Sequence, residues 1–223
     1  MTSSFHIFLT VYAALFPIVN PLGGAPIFLS FVRGNSERVR ERMARKIAIY
    51  GFITLFCALL FGAQILLFFG VSLPVLNVAG GLVVASLGWS LLHQGSDPDK
   101  KAEAEIIQDD EVMGSAFYPL TMPLTVGPGA IATAIALGAG HGLIPTGEWP
   151  DIAMAFGGAL AGLAAMSLTI YFAFREAGTI ERVLGKNGTN VLVRLFAFIL
   201  LAIGLQMLWG GIHELIGQVV THP

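Results

Sequence analysis

Two proline-rich segments within apolar sequence carry the backbone and side-chain groups that could bind a small solute. The first is residues 16–26, FPIVNPLGGAP, and the second is residues 118–128, YPLTMPLTVGP. Their prolines match at a constant offset of 102 residues. The matched prolines are Pro17, Pro21 and Pro26 in the first segment and Pro119, Pro123 and Pro128 in the second. We interpret the match as an internal duplication.

The prolines are expected to release backbone carbonyl groups inside a helix. Proline has no N–H, so it cannot donate to the carbonyl group four residues earlier. The six carbonyl groups affected belong to Ala13, Pro17, Leu22, Ser115, Pro119 and Leu124. Unsatisfied backbone groups at membrane depth are costly unless they face protein, water or a ligand. A single Asn-Pro step is more often a kink than a site, but six matched prolines predict a lined cavity.

The residues around the prolines suggest how a solute would be held. Asn20 before Pro21 is typical of a helix N-cap followed by the first helical residue, and Gly127 before Pro128 repeats this arrangement. A restarted helix offers free N–H groups and a positive dipole end to an anionic group. Glycines allow a ligand to approach the backbone closely. The candidate solute-binding residues are therefore Asn20, Gly23, Gly24, Thr121, Thr125, Gly127 and Gly129.

The apolar segments contain no deeply placed Asp, Glu, Lys or Arg, which argues against a proton pump or a carrier of a charged solute. A small zwitterion fits, with its carboxylate at helix N–H groups and its ammonium at freed carbonyls and the Asn20 amide. His213 and Glu214 begin an H-E-x-x-H zinc motif, but Gly217 replaces its second histidine. We therefore expect neither a metal nor another cofactor.

Composition places the chain in the membrane. Of the 223 residues, 55% are hydrophobic and only 12% are charged, and the mean hydropathy is +0.77. About 20 apolar residues are needed for a helix to cross the hydrocarbon layer. The pattern predicts six spans, at residues 5–32, 47–69, 71–93, 116–140, 152–174 and 195–217. Spans one and four should be discontinuous at their prolines.

The positions of the basic residues predict the orientation. All 12 Lys and Arg residues fall in or beside residues 33–46, 94–115 and 175–194, whereas residues 141–151 have none. Cytoplasmic loops are enriched in Lys and Arg. The acidic loop 94–115 is therefore predicted to be cytoplasmic, and both termini are predicted to face away from the cytoplasm. A net charge of −2 gives no indication of a nucleic-acid partner.

Three spans per copy is an odd number, so the second copy should enter the membrane in the opposite sense. The third span of each copy also matches, since residues 85–92 resemble residues 201–208. We predict one all-α transmembrane domain of two inverted repeats, residues 5–93 and 116–217, joined by the acidic loop. Inverted repeats with matched interruptions are typical of secondary transporters, which bind solute near the midplane.

The two segments resemble the signature segments of the MarC family of integral membrane proteins. The likeness rests on N-P-x-G-x-x-P at residues 20–26 and P-L-T-V-G-P-G-A-I at residues 123–131, and it extends from the first span to the sixth. Met122 stands where the first copy has Asn20, so one half alone offers an amide. The resemblance implies a six-helix inner-membrane protein and transport of small neutral amino acids such as glycine and alanine. It leaves open whether a proton or sodium ion is coupled.

Other classes of function have less support. An intramembrane enzyme would need a nucleophile with a base or metal ligands at depth, and Ser86, Ser90 and Ser167 have no such partner that the sequence reveals. A channel or an exporter of another small solute, or an accessory membrane subunit, stays open. The oligomeric state does not follow from the sequence. Lipid contacts follow from the membrane location.

Overall fold

The computed structural model describes residues 4–32, 35–93, 114–139 and 149–221, which are helical apart from short turns and contain no strand. The helices are α1 (Ser4–Val19), α2 (Pro21–Phe31), α3 (Glu37–Phe68), α4 (Leu73–His93), α5 (Ala116–Thr125), α6 (Pro128–Ala139), α7 (Trp149–Arg175) and α8 (Ala177–Thr221). The all-α class is confirmed for these residues.

Five helical stretches are long and apolar enough to cross a membrane. They are Ser4–Leu29, Glu37–Phe68, Leu73–His93, Asp151–Arg175 and Gly188–Gln218. The predicted fourth span, residues 116–140, differs because it is divided into α5 and α6, and α6 is only 12 residues long. The division follows from the three prolines that this span contains.

Two segments predicted as loops are largely helical. Residues 33–46 were expected to form a basic loop, but α3 begins at Glu37, where Val39 N donates to the side chain of Ser36 at 3.4 Å. Residues 175–194 lie mainly in α8, which is interrupted at Gly185 with φ 66°. Arg, Lys and Glu favour helix, so the helices continue past their apolar spans. Loop residues 94–113 and 140–148 lie outside the described residues, and residues 149–151 begin α7.

The predicted turn between the second and third spans is confirmed at residues 69–72. Gly70 adopts φ 68°, Gly70 N donates to Leu67 O at 3.1 Å, and Val71 N donates to Leu66 O at 2.9 Å. These two bonds form a Schellman motif, whose left-handed residue is usually glycine. The turn therefore reverses the chain between α3 and α4 without an unsatisfied helix end.

Small residues bring the helices into close contact, which is typical of membrane helix packing. In α7, a methyl group on Gly158 would overlap Ser4 O of α1, and one on Gly162 would lie 2.9 Å from Val11 Cβ. Gly81 and Gly88 of α4 similarly lie against the backbone of α8. Gly157, by contrast, faces open space. In addition, α3 packs on α5, α6 and α7; α4 packs on α6; α1 packs on α7; and α2 packs on α7 and α8.

Candidate functional site

The first helix break is a single residue. Asn20 separates α1 from α2 and has the left-handed backbone conformation φ 48°, ψ 58°, which asparagine tolerates better than most residues. Asn20 Oδ1 accepts a hydrogen bond from Gly23 N at 3.0 Å, and the side chain is buried. The predicted N-cap is confirmed. Its acceptor oxygen is therefore already used by the first turn of α2.

The second helix break is longer. Within α5, Tyr118 has φ −125°, ψ 124° and Met122 has φ −117°, ψ 124°. Each precedes a proline, and the proline ring disfavours helical conformation in the preceding residue. Val126 then ends the helix with φ −112°, ψ 80°. In the sequence match, Met122 corresponds to Asn20, but only the asparagine caps the following helix with its side chain.

Around these breaks, α5 replaces helical hydrogen bonds by bonds that reach five residues back. Thr121 Oγ1 donates to Ala116 O at 2.6 Å, and Thr125 Oγ1 donates to Leu120 O at 2.7 Å. Leu120 N donates to Ser115 O at 3.3 Å. The Ser115 carbonyl was predicted to lose its helical partner, and the structure supplies another one. Such π-helical adjustments re-satisfy groups that proline leaves free in membrane helices.

A cavity of about 620 Å³ lies beside the second break. Thr125, Gly127, Pro128 and Gly129 contribute to one wall, and Ile18 at the end of α1 also contacts it. The rest of the wall includes Phe31 of α2, Leu200 of α8, and Leu82, Val83, Val84, Ser86, Leu87 and Ser90 of α4. No lining residue among those described is ionisable. The cavity therefore suits a solute without net charge.

The structure brings three of the seven candidate residues to this cavity, namely Thr125, Gly127 and Gly129, while Asn20, Gly23, Gly24 and Thr121 are not on its wall. Protein atoms occupy the space beside three of the glycines. A methyl group would overlap the Asn20 side chain at Gly23 and the Val84 side chain at Gly129, and at Gly24 it would lie 3.4 Å from the Phe174 ring. Close packing thus accounts for glycine at positions 23 and 129, whereas the contact at Gly24 is an ordinary van der Waals distance.

The prolines take different positions around the breaks. Pro17 and Pro26 lie inside α1 and α2, and Pro21 is the first residue of α2. Pro119 and Pro123 fall within α5, whereas Pro128 begins α6. Four of the six prolines directly follow a residue without helical conformation. Pro21 follows Asn20, Pro119 follows Tyr118, Pro123 follows Met122 and Pro128 follows Gly127.

Sequence reasoning missed the contribution of α4 to the cavity. The sequence suggested Ser86 and Ser90 only as possible nucleophiles, yet both line the cavity beside the α5–α6 break. No local signal in α4 indicates that these serines face α6, because the contact joins residues about 40 positions apart. Among the described residues, no group of three or more His, Cys, Asp or Glu side chains could hold a metal ion.

Comparison with known proteins identifies relatives over almost the whole chain. Residues 5–216 match the model of the MarC family integral membrane proteins. The chain is 32% identical over 208 residues to the UPF0056 inner membrane protein MarC of Salmonella typhimurium, covering 91% of this chain and 92% of that protein. It is 31% identical over 214 residues to the UPF0056 membrane protein YvbG of Bacillus subtilis, covering 93% and 95%. No solved structure matches the chain.

Proposed function

Because the chain belongs to the MarC family of integral membrane proteins, we propose that it is a secondary transporter of a small neutral solute. The proposed solute is a zwitterion, a small amino acid such as glycine or alanine, which crosses the inner membrane by alternating access. Relatives from Salmonella are named inner membrane proteins. The observation that carries the proposal is the uncharged cavity at the α5–α6 break.

The cavity offers the groups that a zwitterion needs. The Thr125 hydroxyl donates to Leu120 O, but its oxygen can still accept a hydrogen bond from an ammonium group. The N-terminal end of α6 carries the partial positive charge of the helix dipole, which favours a carboxylate. Pro128 and Gly129 of that helix end line the cavity. Backbone and hydroxyl groups would therefore replace charged side chains as ligands.

The packing of the helices supports two inverted repeats. If α1, α2, α3 and α4 are exchanged with α5, α6, α7 and α8, most interhelical contacts map onto other observed contacts. The contacts of α2 with α7 and α8 correspond to those of α6 with α3 and α4, and the contact of α1 with α7 corresponds to that of α5 with α3. An approximate two-fold relation between the halves accounts for this correspondence.

One contact between α4 and α8 supports the same relation at the level of single residues. A methyl group on Gly88 would lie 2.5 Å from Leu201 N and 2.8 Å from Ala197 O. A methyl group on Gly204 would overlap Ala85 N and lie 2.8 Å from Gly81 O. In the sequence match, Gly88 corresponds to Gly204, and residues 85 and 81 correspond to residues 201 and 197. Reciprocal contacts of this kind are typical of two-fold symmetry.

The charged ends of the helices support the predicted sidedness. Tyr171 Oη donates to Glu41 Oε1 at 2.9 Å, which joins the start of α3 to the end of α7. Arg40, Arg175 and Arg182 line one small charged pocket there. The basic residues at the start of α3, the end of α7 and the start of α8 thus lie at one end of the bundle, as a common cytoplasmic location requires.

The cavity then opens toward the cytoplasm in this conformation. It runs from the break at Gly127 to Phe31 and Ser90, near the ends of α2 and α4 that lead into the predicted cytoplasmic segments. On the opposite side of the break, α6 packs tightly on α3. A methyl group on Gly138 of α6 would overlap Leu59 O of α3, and a methyl group on Gly62 of α3 would overlap the Ile135 side chain of α6. An open inner half and a packed outer half are the features expected of an inward-facing carrier.

Uptake by liposomes containing the purified protein tests the proposal. Labelled glycine and alanine are supplied with and without imposed proton or sodium gradients, and protein-free liposomes serve as the control. We expect saturable uptake and counterflow, which distinguish a carrier from a channel, and a gradient that accelerates uptake identifies the coupling ion. Uptake equal to that of empty liposomes, with folded protein, would exclude these two solutes.

A further inference from the structure

A small polar pocket lies at the charged end of the bundle, where α3 of the first half meets α7 and α8 of the second. Its volume is about 100 Å³, well below the roughly 300–1,000 Å³ typical of pockets for drug-sized ligands. Arginines contribute to it from all three helices, namely Arg40 of α3, Arg175 of α7 and Arg182 of α8. This arginine pocket therefore suits one small polar group rather than a whole organic molecule.

Arg40 has a hydrogen-bond donor that the protein leaves unused. Its Nε is buried, yet it has no hydrogen-bond partner among the described residues. Gly178, in the first turn of α8, leaves room for the guanidinium group, since a methyl group there would lie 2.9 Å from Arg40 Nη1. A buried donor without a partner is unfavourable. A small rotation of the guanidinium toward an anion in the arginine pocket would supply the missing acceptor.

The carboxylates of the arginine pocket do not neutralise its arginines completely. Glu41 lies 3.8 Å from Arg45, which is not part of the pocket wall, and Glu176 lies 3.8 Å from Arg175. The other two arginines of the pocket form no salt bridge with any residue that the structure describes. They face one remaining glutamate, Glu37 in the first turn of α3. The pocket therefore keeps a net positive charge, to which the helix dipole at the start of α8 adds.

The arginine pocket lies at the boundary of the membrane. Arg175 is the last residue of the apolar span Asp151–Arg175. One turn earlier, Tyr171 Oη donates to Glu41 Oε1 at 2.9 Å, so α3 reaches the same depth as the end of that span. On α8, Val183 is 79% exposed, which provides an apolar surface beside the charged groups. Lipid headgroups occupy the layer directly outside the hydrocarbon, so their phosphate groups lie at the depth of this pocket.

We infer that the arginine pocket binds the phosphate group of an anionic phospholipid from the adjacent leaflet. Guanidinium groups hold phosphate through charge-assisted hydrogen bonds that are frequently bidentate. A phosphate bound by Arg40 and Arg182 joins α3 of the first half to α8 of the second half. The cavity at the α5–α6 break takes no part in this contact, so the inference is independent of the proposed transport function.

Native mass spectrometry of the full chain tests the inference. Detergent-solubilised protein is titrated with phosphatidylglycerol and, separately, with phosphatidylcholine that has the same acyl chains. Both lipids contain a phosphate group, but the choline cation offsets its charge. We therefore expect phosphatidylglycerol to bind at least tenfold more tightly. Equal binding of the two lipids would overturn the inference.

Glycerol phosphate distinguishes a lipid headgroup from a free phosphate compound. It has the same charged group but no acyl chain to contact the apolar surface at the membrane boundary. At the concentration of phosphatidylglycerol that half-saturates the protein, glycerol phosphate should displace none of the lipid. Displacement at that concentration would assign the arginine pocket to a soluble phosphate compound instead of a lipid.

Two arginines on α3 provide a matched comparison. Arg40 lines the pocket, whereas Arg42 is exposed and is not part of the pocket wall. Each basic residue that meets an anionic lipid surface strengthens binding about fivefold. We expect Arg40→Gln, and likewise Arg182→Gln on α8, to weaken phosphatidylglycerol binding fivefold or more. Arg42→Gln should change it by less than a factor of two, and equal effects of Arg40→Gln and Arg42→Gln would contradict the assignment of the site.

Thermal unfolding separates lipid binding from a structural role of Arg40. In phosphatidylcholine alone, Arg40→Gln should unfold at the same temperature as the unmodified protein, because Arg40 Nε has no partner to lose among the described residues. Phosphatidylglycerol should raise the unfolding temperature of the unmodified protein and of Arg42→Gln, but not that of Arg40→Gln. A lower unfolding temperature of Arg40→Gln in phosphatidylcholine alone would show that Arg40 stabilises the fold internally and would refute the inferred site.

Discussion

At the scale of single residues, the first helix break depends on one asparagine. Asn20 combines a left-handed backbone conformation, φ 48°, with a side-chain hydrogen bond of 3.0 Å from Gly23 N. Few other side chains provide both features, since asparagine is enriched in the left-handed region and is among the strongest N-caps. Gly23 is also constrained, because a methyl group there would overlap the capping side chain.

Replacing Asn20 separates these two contributions. Asn20→Ala loses the cap and strains the backbone, so we expect stability to fall by about 1–2 kcal/mol and transport to be lost in protein that still folds. Asn20→Gly keeps the left-handed conformation and should cost only a few tenths of a kcal/mol. Thermal unfolding and liposome uptake measure the two effects. Unchanged uptake by Asn20→Ala would show that transport does not depend on the capped break at Asn20.

The second residue-scale prediction concerns Gly129, which packs against the Val84 side chain beside the cavity. Gly129→Ala should destabilise the protein by about 1–3 kcal/mol, because the added methyl group overpacks the contact. Val84→Ala should relieve the overlap, so the double variant should be more stable than additivity of the single changes predicts. Additive unfolding free energies would show that the two residues do not share a contact.

At the scale of helices, α4 and α8 approach through glycines rather than through interlocking large side chains. Gly81, Gly88 and Gly204 all lie so close to the facing backbone that a methyl group at any of them would come within about 3 Å of it. Close approach of this kind lets van der Waals contacts hold membrane helices together without a hydrophobic driving force. The α4–α8 contact is therefore sensitive to side-chain size at a few positions.

Valine substitutions test that sensitivity. Gly88→Val and Gly204→Val should separate α4 from α8, and the reciprocal contacts imply that the two losses of stability should be similar. Gly210→Val on α8 is the matched control, because no atom lies within 4 Å of a methyl group at that position. Unfolding in detergent would report the effects. A loss at Gly210 as large as that at Gly204 would point to helix propensity rather than packing.

At the scale of the whole molecule, the two halves differ in what occupies the space beside their breaks. Gly129 and Ala130 follow the second break and line the cavity, whereas Ile27 and Phe28 occupy the matched positions after the first break. Phe28 is fully buried and stacks on Phe174 with a ring separation of 4.8 Å. The first half is therefore filled by side chains at the positions where the second half lines a cavity, so the two halves are not equivalent in this conformation.

Thiol labelling tests the direction in which the cavity opens. Ser90→Cys, in a background in which the exposed Cys57 is replaced by alanine, should react with a membrane-impermeant thiol reagent from the cytoplasmic side. Reaction requires a hydrated thiolate, so labelling also shows that water enters the cavity. Labelling from the outer side alone would contradict the proposed orientation, and a bound solute should slow the reaction.

The sequence by itself determined the features that depend on local backbone chemistry. Proline removes a donor and restricts the preceding residue wherever it occurs, so the interruption near Asn20 and the division of the fourth span could be predicted. Gly70 and the apolar stretches predicted the turn and most of the spans for similar local reasons. The loops at residues 33–46 and 175–194 were misjudged because charged residues mark the ends of apolar stretches, not the ends of helices.

The tertiary structure decided which groups meet. The Ser115 carbonyl gains a partner only because α5 adopts a five-residue hydrogen-bond register, and Ser86 joins Thr125 at the cavity only because α4 packs on α6. The rotation of each helix about its axis depends on all its neighbours, and no short segment encodes it. Residue type therefore fixed where the helices break, and packing between distant segments fixed which of their residues face the cavity.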